Sequence, residues 1–124
     1  MRSNQNLEPD GCAIAQQSGS ETPTLVIFDF PARKAGGEAQ ARALRALAED
    51  IAAEPDLLWK IWTEDKAAGR SGGIYLFRNR AAAEAYHAKH AARLTAAGVT
   101  GIEAVYRTYN AELTAITRGP VSSP

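Results

Sequence analysis

The sequence predicts the α+β fold class, with four strands and two helices in the order β-α-β-β-α-β. The first indication is a central stretch, Glu54 to Phe77, in which two apolar runs are joined by a polar, glycine-containing turn. The second is a segment of helical periodicity on each side of this stretch. The third is an apolar run at each outer end, which places a strand before the first helix and another after the second.

The first strand and the first helix precede the central stretch. Thr24 to Phe30 is apolar on both faces apart from Asp29, and Pro31 ends the strand. A helix is predicted from about Glu38 to Ala53. Three residues at positions i, i+3 and i+7 give it one apolar stripe: Leu44, Leu47 and Ile51. Glu54-Pro55 closes this helix, because the residue before a proline is disfavoured in the helical conformation.

The central stretch is predicted to form a hairpin. Its strands are Leu57 to Glu64 and Gly73 to Phe77, and the segment between them contains the glycines and serine that a turn needs. Both tryptophans, Trp59 and Trp62, lie on the first of these strands, three positions apart. We therefore expect them to point to opposite faces of the sheet.

The second helix is predicted over Arg80 to Ala97, with Gly98 as the residue that ends it. The fourth strand is predicted over Thr100 to Asn110, where apolar and polar residues roughly alternate. This order is the split βαβ arrangement of ferredoxin-like folds, in which a four-stranded antiparallel sheet carries both helices on one face.

The 124 residues are expected to contain one folded domain, over residues 24–117. Residues 1–23 are rich in Ser, Gln, Asn and Gly and are predicted to be a flexible leader, in which Cys12 is an incidental thiol. Residues 118–124 end in Pro and Ser and are predicted to be a disordered tail.

Charge and hydropathy argue against several functional classes. Fourteen basic and fourteen acidic residues cancel, so the electrostatic footprint of a nucleic-acid-binding protein is absent. No apolar run approaches the ~20 residues that span a bilayer, and the N-terminus has no apolar core of a secretory signal. We expect a cytoplasmic protein with neither a nucleic-acid partner nor a membrane partner.

The strands are apolar on both faces, although two helices can cover only one. The first strand directs two apolar side chains to one face and three to the other: Leu25 and Ile27, against Val26, Phe28 and Phe30. The uncovered face would be a large exposed apolar patch, which monomers rarely tolerate. We therefore predict a homodimer packed sheet to sheet.

Three runs resemble one family: LLWKIWTE at Leu57 to Glu64, GGIYLF at Gly72 to Phe77, and AYHAKHAARL at Ala85 to Leu94. They are similar to the YdhR-type mono-oxygenases of the dimeric α/β-barrel superfamily, which also contains the antibiotic-biosynthesis mono-oxygenases. The similarity covers roughly residues 24–117. It implies a dimeric α/β-barrel form of the ferredoxin-like fold, a small-molecule substrate and an oxygenase activity.

The second helix carries three polar residues on one face: Tyr86, His90 and Arg93. Its apolar residues are mostly small alanines, so this stripe is a candidate to lie against the sheet and line a pocket. His90 is the candidate base near neutral pH, whereas His87 lies off the stripe and is expected to be exposed.

Aromatic side chains on the strands form the second group of candidates. Trp59 and Trp62 are candidates to stack on a flat ligand, and Tyr75 and Tyr106 to offer hydroxyl groups to one space. The resemblance points to Trp62, Tyr75 and Arg93, because oxygenases of this superfamily use Trp, Tyr and Arg side chains in their pockets. Lys60 and Glu64 share a face with Trp62, so one of them is a candidate to lie in the pocket or at its rim, and an ion pair at the rim is the preferred interpretation.

The resemblance implies a cofactor-independent mono-oxygenase that acts on an electron-rich aromatic or polyketide-like molecule, with His90, Arg93 and Tyr75 as the expected catalytic residues. Trp59, Trp62, Tyr86 and Tyr106 would bind the substrate. No group of residues has metal-ligand spacing, and no glycine motif predicts a nucleotide cofactor. A cyclase or isomerase on the same scaffold, a non-catalytic binding protein and a haem-degrading enzyme remain as alternatives.

Overall fold

The structure, a computed structural model, describes residues 22–32 and 37–121. The predicted leader therefore lies outside the described residues except for its last two positions, as do residues 122–124 of the predicted tail. The described chain forms seven elements: β1 (Thr24–Pro31), α1 (Glu38–Ala52), β2 (Leu57–Asp65), β3 (Arg70–Phe77), α2 (Arg80–Ala96), β4 (Glu103–Arg107) and α3 (Ala111–Ile116). The predicted β-α-β-β-α-β order is confirmed, and the short helix α3 follows it.

The four strands form one antiparallel sheet in the order β2-β3-β1-β4. The two middle strands, β3 and β1, are not consecutive in sequence, which is the ferredoxin-like topology that the sequence predicts. No helix within the described residues is long and apolar enough to cross a membrane.

Strand β3 begins three residues earlier than predicted, because the last three residues interpreted as a turn pair with β1 instead, the first of them Arg70 opposite Pro31. Ser71 and Gly72 lie opposite Phe30 and Asp29 in the ladder. A Cβ atom at Gly72 would lie 2.0 Å from the Phe28 carbonyl oxygen, so this position needs a glycine for close strand approach. The turn itself is confined to residues 66–69.

The core lies between the sheet and the helices. Alternate residues of the two middle strands point toward the helices and are buried: Val26, Phe28, Tyr75 and Phe77. The helices contribute Ile51, Ala83 and Tyr86 to the same cluster. The predicted stripe of α1 is only partly used, since Ile51 is buried whereas Leu44 is 45% exposed.

Helix α2 is positioned by both of its ends. The Asn79 side chain accepts a hydrogen bond from the Ala82 backbone N–H at 2.8 Å, which caps the first turn. Gly98, with φ of 93°, ends the helix in the left-handed region, as the sequence predicts. These caps fix where the helix begins and ends.

Among the elements of residues 22–32 and 37–121, no long helix covers the second face of the sheet. Ile61 and Val105 on this face are 48% and 41% exposed. Trp59 also lies here, and its Nε1–H donates a hydrogen bond of 2.8 Å to the Pro120 carbonyl. The segment after β4 therefore returns to the opposite edge strand. We call the side of the sheet with Ile61 and Val105 the open face.

Candidate functional site

Helix α2 presses two polar side chains into the core. Tyr86 and His90 are only 2% and 3% exposed, although the helix is otherwise rich in exposed alanines. Their rings stack with centroids 5.1 Å apart. The structure thus places the predicted stripe of Tyr86, His90 and Arg93 against the sheet rather than in water.

Tyr75 of β3 meets this stripe from the sheet. The hydroxyl oxygens of Tyr86 and Tyr75 are 3.4 Å apart, and Arg93 Nη2 donates to the Tyr86 oxygen at 3.4 Å. Both distances are long for hydrogen bonds, so these contacts are weak. We call Tyr75, Tyr86, His90 and Arg93 the central cluster.

Arg93 links the two long helices. Its Nη1 donates to Asp50 Oδ2 of α1 at 2.8 Å, while its Nε and Nη2 lie 3.2 Å and 3.0 Å from His90 Nδ1. The Arg93 side chain is 30% exposed, so its charge sits at the boundary between core and solvent. Asp50 was not among the sequence-derived candidates; its place one residue before buried Ile51 was the available signal.

The contact with Arg93 fixes the tautomer of His90. A guanidinium has only donors, so His90 Nδ1 must accept and the ring proton resides on Nε2. Burial, together with the charges of Arg93 and Lys60, lowers the pKa of His90 to about 4. At neutral pH this ring is uncharged, and its one basic nitrogen is already occupied.

The two tyrosines of the central cluster keep their protons at neutral pH. Burial and the hydrogen bond with Tyr86 raise the pKa of Tyr75 far above its ordinary value. Burial also raises the pKa of Tyr86, against the opposing effect of Tyr75 and Arg93. Tyr75 and Tyr86 therefore act as neutral hydroxyl groups, each able to donate or to accept one hydrogen bond.

Lys60 and Trp62 border the central cluster on edge strand β2. Lys60 lies opposite Tyr75 in the ladder, which directs its side chain toward the helices. The Nζ atom lies 3.3 Å from the centroid of the Trp62 ring and 4.6 Å from that of Tyr75. Burial and the charge of Arg93 lower the pKa of Lys60 to about 7.

The expected ion pair between Lys60 and Glu64 is wrong. Among the ion pairs of the described residues, none involves Lys60. The ammonium group instead lies over aromatic rings, and Glu64 is exposed.

Trp59 does not join the site. Its partner in the ladder is Leu76, whereas that of Trp62 is Gly73, and these two residues of β3 point to opposite faces. The two tryptophans therefore lie on opposite faces, as predicted, and only Trp62 faces the helices. Trp62 is 43% exposed, so its ring is accessible to a ligand.

Tyr106 lies on the helix side but belongs to a second polar pair. Its hydroxyl is 2.8 Å from His87 Nδ1, and Arg80 lies 4.6 Å from its ring centroid. The expectation that His87 is exposed is wrong, because its ring packs edge-on against Phe28, with centroids 5.3 Å apart. Tyr106 and Tyr75 thus offer their hydroxyl groups to different partners.

No group of three or more His, Cys, Asp or Glu side chains could hold a metal ion within residues 22–32 and 37–121. The functional groups of the site are one guanidinium, one lysine amine, two tyrosine hydroxyls and a neutral imidazole. Trp62 supplies an exposed aromatic surface beside them.

Comparison with known families identifies the chain. Residues 25–120 match the family described as "Putative mono-oxygenase ydhR". This match covers most of the sequence, so the protein belongs to the YdhR mono-oxygenase family, and the predicted resemblance is confirmed. No curated protein matches the chain.

Two solved structures share the fold. The PA3566 protein of Pseudomonas aeruginosa is 23% identical, with a TM-score of 0.56, and the alignment covers 76% of this chain and all of that one. The NE2512 protein of Nitrosomonas europaea, of unknown function, is 18% identical with a TM-score of 0.56, over 73% of this chain and 92% of that one. At these identities the similarity shows the fold alone.

Proposed function

We propose that the protein is a cofactor-independent mono-oxygenase that acts on an electron-rich aromatic or polyketide-like small molecule. The observation that carries this proposal is the central cluster, in which a guanidinium, two tyrosine hydroxyls and a neutral imidazole meet in the core beside an exposed tryptophan. Membership of the mono-oxygenase family supports the reaction class.

The proposed reaction needs little covalent chemistry from the protein. An anthrone or hydroquinone that loses a proton becomes an electron-rich anion, which can transfer electrons directly to O₂. With an anthrone, one oxygen atom becomes the new carbonyl oxygen and the other leaves as water with the two hydrogens of the methylene carbon. The protein has to bind the aromatic rings, remove a proton and stabilise the oxyanion.

Arg93 and Tyr75 are proposed to stabilise that oxyanion. Arg93 brings a permanent positive charge, and the neutral Tyr75 hydroxyl group would donate to the ligand oxygen. Trp62 is proposed to stack on the substrate ring, and Tyr86 to connect the two donors. Trp59 has no place in this arrangement, because it lies on the open face.

The base role expected for His90 does not fit this geometry. Its Nδ1 accepts from Arg93, and its pKa of about 4 makes it a weak base at neutral pH. We assign it a positioning role instead: it holds the guanidinium of Arg93 close to the two tyrosine hydroxyls.

A homodimer belongs to the same proposal. The open face carries Ile61 and Val105, and α3 exposes Leu113 and Ile116. A second copy of the chain, packed sheet to sheet, would bury these side chains against the same apolar face of its own sheet. A cytoplasmic location, expected from the sequence, completes the proposal.

The test is oxygen uptake by the purified protein with a panel of anthrones and hydroquinones, run in air and without oxygen. Arg93→Ala is compared with Arg42→Ala, an exposed arginine of α1 that serves as the matched control. The proposal expects uptake by the wild type and the control and a loss of about 100-fold in Arg93→Ala. Product formation without oxygen would instead indicate a cyclase or isomerase, and full activity of folded Arg93→Ala would refute the site.

A further inference from the structure

Lys60 is the feature of the site that the roles above leave unused. The other two lysines of the described residues are accounted for, since Lys66 is exposed in the β2–β3 turn and Lys89 is paired with Glu54. Lys60 instead points toward the helices, and its amine forms no hydrogen bond or ion pair with another described residue. A partly buried amine without an acidic partner needs a separate explanation.

The sheet leaves space for this side chain at Gly73. A Cβ atom at Gly73 would lie 2.6 Å from Lys60 Cε and 3.1 Å from Tyr75 Cε1. The absence of a side chain there allows the lysine stem to lie across β3 and to place its amine over Trp62 and Tyr75. The amine is therefore held at the border between the exposed Trp62 ring and the central cluster.

The charges around Lys60 do not balance. On α2, the positive charge of Arg93 disfavours the ammonium form of Lys60, and His90 is neutral. On β3, the protonated Tyr75 ring lies beneath the amine. From α1, Asp50 is engaged by Arg93. On β2 itself, Glu64 forms no ion pair with Lys60.

On the same side, Lys89 of α2 pairs with Glu54 in the segment between α1 and β2, so these two charges neutralise each other. The site therefore holds one compensated cation, Arg93, and one uncompensated amine, Lys60. A ligand that becomes an anion at the amine would complete the charge balance.

We propose that Lys60 accepts the hydroxyl proton of a phenol or enol ligand and then pairs with the resulting oxyanion. This inference rests on the proposed function and names its substrate class: hydroxyaromatic or enolisable compounds that bind as anions. The step is balanced, because the ligand O–H bond breaks, an N–H bond forms on the lysine, and the neutral pair becomes a phenolate and an ammonium. No electron is transferred in it.

The protonation state of Lys60 suits such a step. With a pKa near 7, a substantial fraction of the amine is unprotonated at neutral pH and can accept a proton. The faces of Trp62 and Tyr75 then favour the ammonium form. The ligand anion adds to this effect, so proton transfer and ion pairing reinforce each other.

The probe for the test is 3-nitrophenol, which is mostly neutral at about pH 7.5, is not a substrate for oxygenation and absorbs visible light only as the phenolate. Its absorbance is titrated with the wild type, Lys60→Met and the control Lys66→Met. We expect the wild type and Lys66→Met to lower the pH at which bound probe ionises by at least about one unit, a tenfold shift in the ionisation equilibrium. Lys60→Met should lose this shift while keeping the wild-type circular dichroism spectrum.

Two further variants separate the parts of the inference. Lys60→Arg keeps a cation but cannot accept a proton, so phenolate formation should persist and should release about one proton to a weakly buffered solution. The wild type should form phenolate with little net release. Gly73→Ala, which displaces the lysine stem, should reduce the ionisation shift.

The inference would be overturned by any of three results: probe that binds as neutral phenol, an ionisation shift that survives Lys60→Met, or no saturable binding of the probe. Proton release by the wild type equal to that of Lys60→Arg would overturn the acceptor role. Because 3-nitrophenol reports ionisation without oxygen, an intact shift with no oxygen uptake by any anthrone would refute the proposed function alone.

Discussion

Replacement of Lys60 by methionine is expected to stabilise the fold at neutral pH. The folded protein lowers the pKa of this amine from 10.5 to about 7, which corresponds to about 5 kcal/mol of unfavourable free energy for the charged form. Water at the edge of the sheet and the contact with Trp62 offset part of this cost. We therefore expect Lys60→Met, which keeps most of the apolar stem, to gain about 2 kcal/mol at pH 7.

The pH dependence gives this prediction its signature. Between the folded and unfolded pKa values the unfolded chain holds the proton that the folded protein has released, so the wild type gains stability as pH rises. The advantage of Lys60→Met should be constant below the folded pKa of Lys60 and should shrink by at least about 1 kcal/mol between pH 6.5 and 9.5. By pH 10.5, the ordinary pKa of a lysine, the cost of charging Lys60 no longer contributes to the stability difference between the two proteins.

Urea denaturation followed by circular dichroism, at one protein concentration and across this pH range, measures the effect. Lys66→Met in the exposed turn is the control and should stay within about 0.5 kcal/mol of the wild type at every pH. Destabilisation of Lys60→Met by more than about 1 kcal/mol at pH 7, or a difference that does not vary with pH, would refute the reasoning.

Two further predictions concern the buried histidine and the open face. In ¹⁵N NMR spectra, His90 should appear as a neutral ring protonated on Nε2 and should not titrate until about pH 4. Protonation of this ring near pH 6 would contradict the assigned contact with Arg93. Because the unfolded chain binds this proton near pH 6.5, the wild type should lose about 3 kcal/mol as pH falls from 6.5 to 4. Ile61→Glu should weaken self-association, measured by analytical ultracentrifugation, by at least about 100-fold, whereas Leu44→Glu on α1 should leave it unchanged. A monomeric wild type, or an Ile61→Glu variant that dimerises as the wild type does, would refute the proposed interface.

Residue patterns were sufficient to predict the order of the elements and the ends of the second helix. Gly98 and the stripe on α2 could be read from sequence, because a left-handed C-cap and helical periodicity are local properties. The same reasoning missed the start of β3, since Gly72 resembles a turn residue although close strand approach is the reason for it. Helix α3 was also missed, because its six residues are too few for a clear period.

The composition of the site depended on tertiary information. The odd spacing of Trp59 and Trp62 predicts opposite faces but not which one meets the helices; that depends on the register with β3, which shifts between Leu57 and Trp59. The sequence left two places for Lys60, in the pocket or in an ion pair at its rim, and the ion pair was the wrong preference because the aromatic neighbours of the amine become visible only after folding. Asp50 was overlooked for the same reason.

The central claim is that the cluster around Arg93 performs an oxygenation, and oxygen labelling tests it most directly. An anthrone is incubated under ¹⁸O₂ with the wild type, Arg93→Ala and Arg42→Ala, and the product is analysed by mass spectrometry. We predict one ¹⁸O atom in the product of the wild type and of Arg42→Ala, and a rate lowered about 100-fold in Arg93→Ala. Product without label, or labelled product at an unchanged rate in Arg93→Ala, would contradict the claim.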